Sequence, residues 1–396
     1  MRAIPRYSLV GLLALGAVVA AAPTAQGQEA APVDSTAPAA PATPTTPTTG
    51  TTPVAPEVPA APIDLTIEAN GDFLVHKSVW EGAAAFAGGR GYDFAPMFRQ
   101  VRPYIAKSDL ALCHVETPLT PRAPRGYPVF STPAALARAI KATGLDACST
   151  ASNHTLDQGQ YGVDATIAAL RRHGIAHAGS ASSASGARRI AILEAKGVKV
   201  AFLAYTQISN GQPMPHAWSM KWASPRAIVA DARRARREGA QVVVVNVHGG
   251  DEYGHAPNAA QTSLADALMR SGAVTAVVGQ HVHVVQPIRR VRGVPVVFGE
   301  GNFLSGQGAF AGMPAVTGDG YMALLRIRVE PDGRSRLRRV DYVPVYVQRP
   351  GPVVVPVGAA LRRGGGPAAE YRASWRRTVG VVGRGPMHGP WDRAEP

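Results

Sequence analysis

The sequence predicts an α/β fold whose strands are buried on both faces. Continuous apolar, β-branched runs alternate with amphipathic helical patterns, as in sheets covered by helices. Most of those runs end in polar residues of chemical interest, and in such sheets ligands gather beyond the carboxyl ends of the strands. Hydrophobic residues are 46% of the 396 and charged residues only 17%, so most of the chain can bury a core.

Taken in order, the run over 63–69 leads into Gly71-Asp72, and 109–115 (DLALCHV) leads to Glu116. The run over 145–149 leads to Asn153-His154. Residues 198–205 follow a Lys196-Gly197 turn. QVVVVNV (241–247) leads to His248, 274–278 to Gly279 and His281, and 295–298 to Gly299 and Asn302. Helical periodicity covers 133–143, 160–173, 225–238 and 258–271. From 351 onward the pattern fails, and a basic, Pro/Gly-rich, partly ordered tail is expected over 351–396, with Trp375 and Trp391 packing back onto the body.

Residues 1–62 read as address and spacer. Arg2 and Arg6 precede an apolar run from Ser8 to Ala22, followed by Ala25-Gln26-Gly27. This is a Sec-type signal peptide over 1–27 and implies a secreted or cell-surface location. Either it is cleaved or it is retained as a membrane tether. No cysteine lies near the site, which excludes a lipoprotein anchor. Residues 28–62 are nearly all Ala, Pro, Thr and Val, too poor in core formers to fold and stiffened by proline. The body over 63–350 is expected to be the folded domain.

The net charge is +14, from 41 Lys plus Arg against 27 Asp plus Glu. A basic body suits an anionic partner, or is simply an Arg-rich solvated surface. No dense basic tract interleaved with aromatics occurs, so nucleic acid is not expected. Two cysteines exclude a disulfide scaffold and a four-thiolate zinc site. Cys113 and Cys148 close neighbouring strands. In an exported protein they form a disulfide or remain buried thiols, and parallel-strand geometry favours thiols.

Asp72, Glu116, Asn153, His154, His248, His281 and His283 together offer two carboxylates, one amide and four imidazoles. This donor set suits manganese, iron or zinc and is too large for one four-coordinate ion. It fits two divalent ions, which generate hydroxide at neutral pH and clamp a displacement. Singly each residue has an ordinary reading: a Gly-Asp turn, a strand end, a helix cap at Ser152-Asn153, a core histidine. His281-Val282-His283 is more telling, because strand alternation points both imidazoles to one side.

The stretches NGDFLVH, DLALCHVETPLT, ASNHTLDQG, NVHGGDEY, GQHVHVVQP and FGEGNF come in this order over about residues 64–347. In them the chain resembles the CapA family of poly-γ-glutamate capsule biosynthesis. The resemblance implies a four-layer α-β-β-α sandwich of the calcineurin-like metallophosphoesterase type, with the seven residues as metal ligands. Glu116 then stands where a bridging Asp is usual. The chain departs from that pattern in two places. Asn70-Gly71-Asp72 replaces the D-x-H opening motif, leaving one metal short of a ligand unless His76 supplies it. Gly249 stands where an aromatic is usual, which widens the pocket.

Three functions follow from these residues. One is a metal-dependent phosphoester hydrolase, with His154 donating a proton and Asp157 orienting it. Another is a non-catalytic accessory protein holding an anionic polymer such as poly-γ-glutamate, tied to capsule synthesis machinery. The third is a γ-glutamyl amide hydrolase. Glu252 and Asn302 are the expected substrate contacts. Arg90 and Arg125, in Gly-rich loops, either reach an anion or are solvated.

Overall fold

The computed structural model describes residues 61–349, 351–385 and 387–391. The expected signal peptide, and the spacer up to residue 60, lie outside the described residues. β1 (Ile63–Leu74) is followed by α1 (Lys77–Phe86), α2 (Ala95–Phe98), α3 (Arg102–Ile105) and β2 (Leu110–Val115). The short strands β3 (Leu119–Thr120) and β4 (Thr132–Pro133) pair with each other. Next come α4 (Leu136–Thr143), β5 (Ala147–Ser149), α5 (Gly159–Arg172), β6 (Ala176–Ala178) and α6 (Ala184–Arg188). The middle of the chain holds β7 (Ala191–Ala195), β8 (Val198–Thr206), α7 (Pro225–Arg237), β9 (Val242–His248), α8 (Ala259–Arg270), β10 (Ala276–Gln280), β11 (Ile288–Val291) and β12 (Val294–Val297). The last elements are β13 (Asn302–Ser305), β14 (Asp319–Val329), β15 (Ser335–Gln348), β16 (Val353–Pro356), α9 (Val357–Arg363), α10 (Ala368–Val382) and β17 (His388–Pro390).

Among the described residues these strands form two large sheets. The first runs β16-β15-β14-β1-β2-β5-β6, with β13 joined to β1 and β17 to β15. The second runs β11-β12-β10-β9-β8-β7. β1, β2, β5 and β6 are parallel, as are β8, β9, β10 and β12. Ile67, Leu112, Phe202, Val244, Val278 and Leu325 fill the space between the sheets. Phe73, Phe98, Leu136, Ile140 and Leu170 pack helices on the outer face of the first sheet. Leu203, Val245, Ile228, Leu264 and Leu268 do the same for the second. The layers are helix, sheet, sheet, helix, as the resemblance implies. Strands covered on both faces explain the unbroken apolar runs.

β1 runs five residues beyond the expected strand end at 69. Asp72 donates its backbone N–H to the Gly301 carbonyl at 3.0 Å. A Cβ at Gly71 would stand 1.9 Å from that carbonyl oxygen, so only glycine lets the chain from 299 to 302 lie against the strand. The register against β2 shifts between Ala69 and Asp72. This bulge re-aims the end of β1.

Two expectations are corrected. Cys113 and Cys148 are joined as a disulfide. They face each other in register on parallel β2 and β5, with Cα atoms 4.4 Å apart, within bridging range. The C-terminal segment, where the pattern was expected to fail, also carries regular elements where it is described. β16 pairs with β15, and Val355, Val357, Tyr371 and Trp375 form their own buried cluster. Arg377 grips Asp319 with two bonds at 2.6 and 2.8 Å. Trp391 packs on Tyr104. Non-local pairing with β15 orders this segment, which local composition does not reveal.

Candidate metal centre

Six side chains meet at the carboxyl ends of β1, β2, β9 and β10. Asp72 lies near the end of β1 and is in register with His114 on β2. Glu116 follows β2, His248 ends β9, and His281 and His283 follow β10. All six are buried. Ligand-type atoms of Asp72, His114 and His248 lie within 4.8 Å of one another, as do those of Glu116, His281 and His283. The triads interlock. His283 Nδ1 is 3.0 Å from Asp72 Oδ2, and its Nε2 is 3.7 Å from Glu116 Oε1. His248 Nε2 is 4.0 Å from the same Glu116 oxygen.

The two loop histidines converge for a different reason than the sequence suggests. β10 stops at Gln280, and His281 and His283 have φ of 96° and 57°. Left-handed backbone, not strand alternation, brings them in. Such conformations cost on the order of 1–3 kcal/mol each and cluster at functional sites.

Burial sets the protonation of the cluster. It drives His248 well below the usual imidazole range, His114 down to about 4 and His281 down to about 3. His283 is the exception: burial opposes its charge, but Glu116 and Asp72 outweigh burial and hold it up at about 9. Burial also pushes the Glu116 carboxyl well above its usual range. For Asp72, burial is the largest influence and raises the carboxyl, but the His283 bond together with the charges of His283, His114 and His281 outweighs it, and the carboxyl is lowered.

Both oxygens of Glu116, both ring nitrogens of His114, and Nδ1 of His248 and of His281 are buried with no hydrogen-bond partner among the described residues. A buried polar group left in that state costs about 1–3 kcal/mol. Two carboxylates and mostly neutral imidazoles are donors for borderline divalent metals. The residues present therefore fit a pair of ions, one at each triad.

His114 is the candidate ligand that sequence reasoning missed. The sequence carries the signal, because His114 lies two residues before Glu116 on the same strand face. It also answers the question left by the missing D-x-H motif. His76 does not join either triad; its Nδ1 lies 3.1 Å from the Leu74 carbonyl and 3.2 Å from the Gly306 amide.

Asn153 and His154 sit beside the triads. Asn153 Oδ1 is 2.9 Å from His248 Nε2, and its Nδ2 donates to Asn210 at 3.1 Å. His154 is in neither triad. Its Nδ1 donates to Asp157 Oδ2 at 2.8 Å, and that oxygen also accepts from the Phe130 amide at 2.7 Å. Phe130 packs edge-on against the His154 ring. A cavity of about 770 Å³ opens over this group, walled by His76, Asn153, His154, Glu252, Tyr253 and His283 among others. Glu252 is exposed on that wall. Asn302 is fully buried and off it, donating to the carbonyls of His283 and Thr317 and to Gln307. Arg90 and Arg125 are exposed and also do not line it.

A profile of the bacterial capsule synthesis protein family PGA_cap matches residues 66–307. The chain belongs to that family. It is 27% identical over 308 residues to the capsule biosynthesis protein CapA of Bacillus anthracis, spanning 75% of this chain and 70% of that one. It is 26% identical over 270 residues to the PGA biosynthesis protein CapA of Bacillus subtilis, spanning 65% and 67%. Among solved structures it is similar to a 5'-nucleotidase precursor from Thermus thermophilus at 14% identity and TM-score 0.44, covering 80% of this chain and 59% of that one. The NAD nucleotidase of Haemophilus influenzae gives 10% and 0.42, covering 82% and 57%. Scores at this level lend no support to an activity.

Proposed function

We propose that this PGA_cap-family protein is an exported, metal-dependent hydrolase acting on phosphoester bonds in poly-γ-glutamate capsule metabolism. One observation carries the reading: two buried triads with orphaned ligand atoms stand beside a carboxylate-oriented histidine at the foot of an open cavity. Asp72, His114 and His248 would hold one divalent ion and Glu116, His281 and His283 a second, and such ions would supply Lewis-acid activation of water and charge stabilisation for a displacement. His154, fixed through Nδ1 by Asp157, presents Nε2 to protonate a leaving oxygen. The Asn153 amide holds His248 and cannot act as a base. The Cys113–Cys148 disulfide supports work in an oxidising compartment. Among the described residues no helix is long and apolar enough to cross a membrane.

No lysine or arginine lines the cavity, while Glu252 does. The +14 charge of the chain instead favours a second reading, a non-catalytic accessory protein that holds the polymer on its basic surface. A phosphodiesterase assay in manganese, paired with a poly-γ-glutamate binding assay, separates the two. The hydrolase reading expects turnover that disappears in His281→Ala. Polymer binding that weakens with salt and survives His281→Ala, with no turnover in the wild type, favours the accessory reading. Release of shorter γ-glutamyl chains would move the reaction from phosphoester to amide.

A further inference from the structure

The arginine and lysine side chains absent from the metal cavity occur in a second cavity. It has a volume of about 320 Å³ and lies between edge strand β6 of one sheet and β7–β8 of the other. Ile167 and Arg171 from α5, His177 from β6, the loop from Gly179 to Ser183, and Arg189 after α6 form its walls, with Phe202 and Lys221 opposite. No aspartate or glutamate lines it. Lys221 is already neutralised, its ammonium 2.7 Å from Asp231. Arg171 and Arg189 have no side-chain hydrogen bond or ion pair among the described residues, although acidic partners hold other arginines here, as at Arg326, Arg328 and Arg377. An Arg189 terminal nitrogen lies 3.6 Å from where a Cβ on Gly186 would stand, so the guanidinium leans over that turn.

The local field agrees with this geometry. Burial first, then Arg171 and Arg189, push the His177 imidazole down to about 4, with no carboxylate opposing them. His177 is therefore neutral near pH 7. It adds a hydrogen-bonding nitrogen to a cavity wall that also carries two positive guanidinium groups.

We propose that this cavity binds a small ligand carrying an oxyanion, carboxylate or phosphate, on a short apolar stem. The two guanidinium groups grip the oxyanion and the Ile167 side of the cavity receives the stem. Guanidinium forks match both oxyanions in geometry, and a site with uncompensated cations gains most from an anionic guest. The proposal is independent of the hydrolase reading, because none of its residues belongs to the metal centre.

The test is a protein-observed NMR titration of the full chain at low ionic strength, with glutarate in one arm and propyl phosphate in the other. Saturable shifts for either probe support the site and name its oxyanion. The Arg171→Ala/Arg189→Ala double variant should weaken binding at least ~10-fold, equivalent to about 1.4 kcal/mol. His281→Ala should leave it within about twofold. Both arginines are exposed, so the double variant should keep the wild-type melting curve, which is checked alongside. Three results overturn the proposal: no saturable shift with either probe, binding that survives the double variant, or binding lost in His281→Ala. The last would place the anion at the metal centre.

Discussion

Asp157 accepts from His154 Nδ1 and from the Phe130 amide with one oxygen. It therefore fixes both the tautomer of the ring and the loop that packs against it. If His154 moves the proton, His154→Asn should lower turnover by about 10²–10⁴-fold while leaving the metal content unchanged. Asp157→Asn should lower turnover less. Steady-state kinetics together with elemental analysis of the same samples checks both. Loss of metal in His154→Asn would instead make His154 a ligand, the role expected of it from its motif alongside proton donation. His114 makes the complementary case. Its ring is buried with two orphaned nitrogens, so on the hydrolase reading His114→Ala should lower the metal content.

At the scale of elements, β2 carries two separate duties on its two faces. Leu112 and His114 point toward the other sheet and the site, and Cys113 points outward to its partner on β5. The bridge closes a loop with a sequence separation of 35. Replacing both cysteines by serine should cost about 2–4 kcal/mol in denaturant melts without changing the metal content. β1 carries a second buried acid. Glu68 is fully buried, accepting from Asn70 Nδ2 at 3.1 and 3.2 Å, and burial raises it to about 8 from a reference of 4.5. A raised carboxyl favours the folded state while it stays protonated. That contribution is complete below about pH 4.5 and is lost as pH rises through about 8. Glu68→Gln should therefore flatten the fall in stability between those limits, read from urea melts across that range. A slope identical to that of the wild type would contradict a protonated Glu68.

For the whole molecule, the strands and helices that build the site were legible because they are continuous apolar runs and strongly amphipathic stretches. The expected helix over 225–238 appears as Pro225–Arg237 and the expected strand over 241–247 as Val242–His248. Five of the six residues in the triads were also legible, since each lies at or just past a strand end. The rest depends on contacts distant in sequence. β16, α10 and β17 are ordered by β15 and by the Arg377–Asp319 pair, so their Pro/Gly-rich sequence reads locally as loop. The convergence of His281 and His283 depends on two left-handed residues that no β-branched or glycine signal announces. The layered sandwich then explains why the site sits where it does: both sheets direct parallel strand ends to one edge, and that edge collects the buried donors.

The central claim is that the two triads hold two ions. Elemental mass spectrometry of the purified chain, of His114→Ala and of His281→Ala, each loaded with manganese, iron or zinc, tests it most directly. Close to two ions per wild-type chain are expected, with each variant losing one or both. No bound ion in the wild type under any loading, or a full complement in both variants, would contradict it.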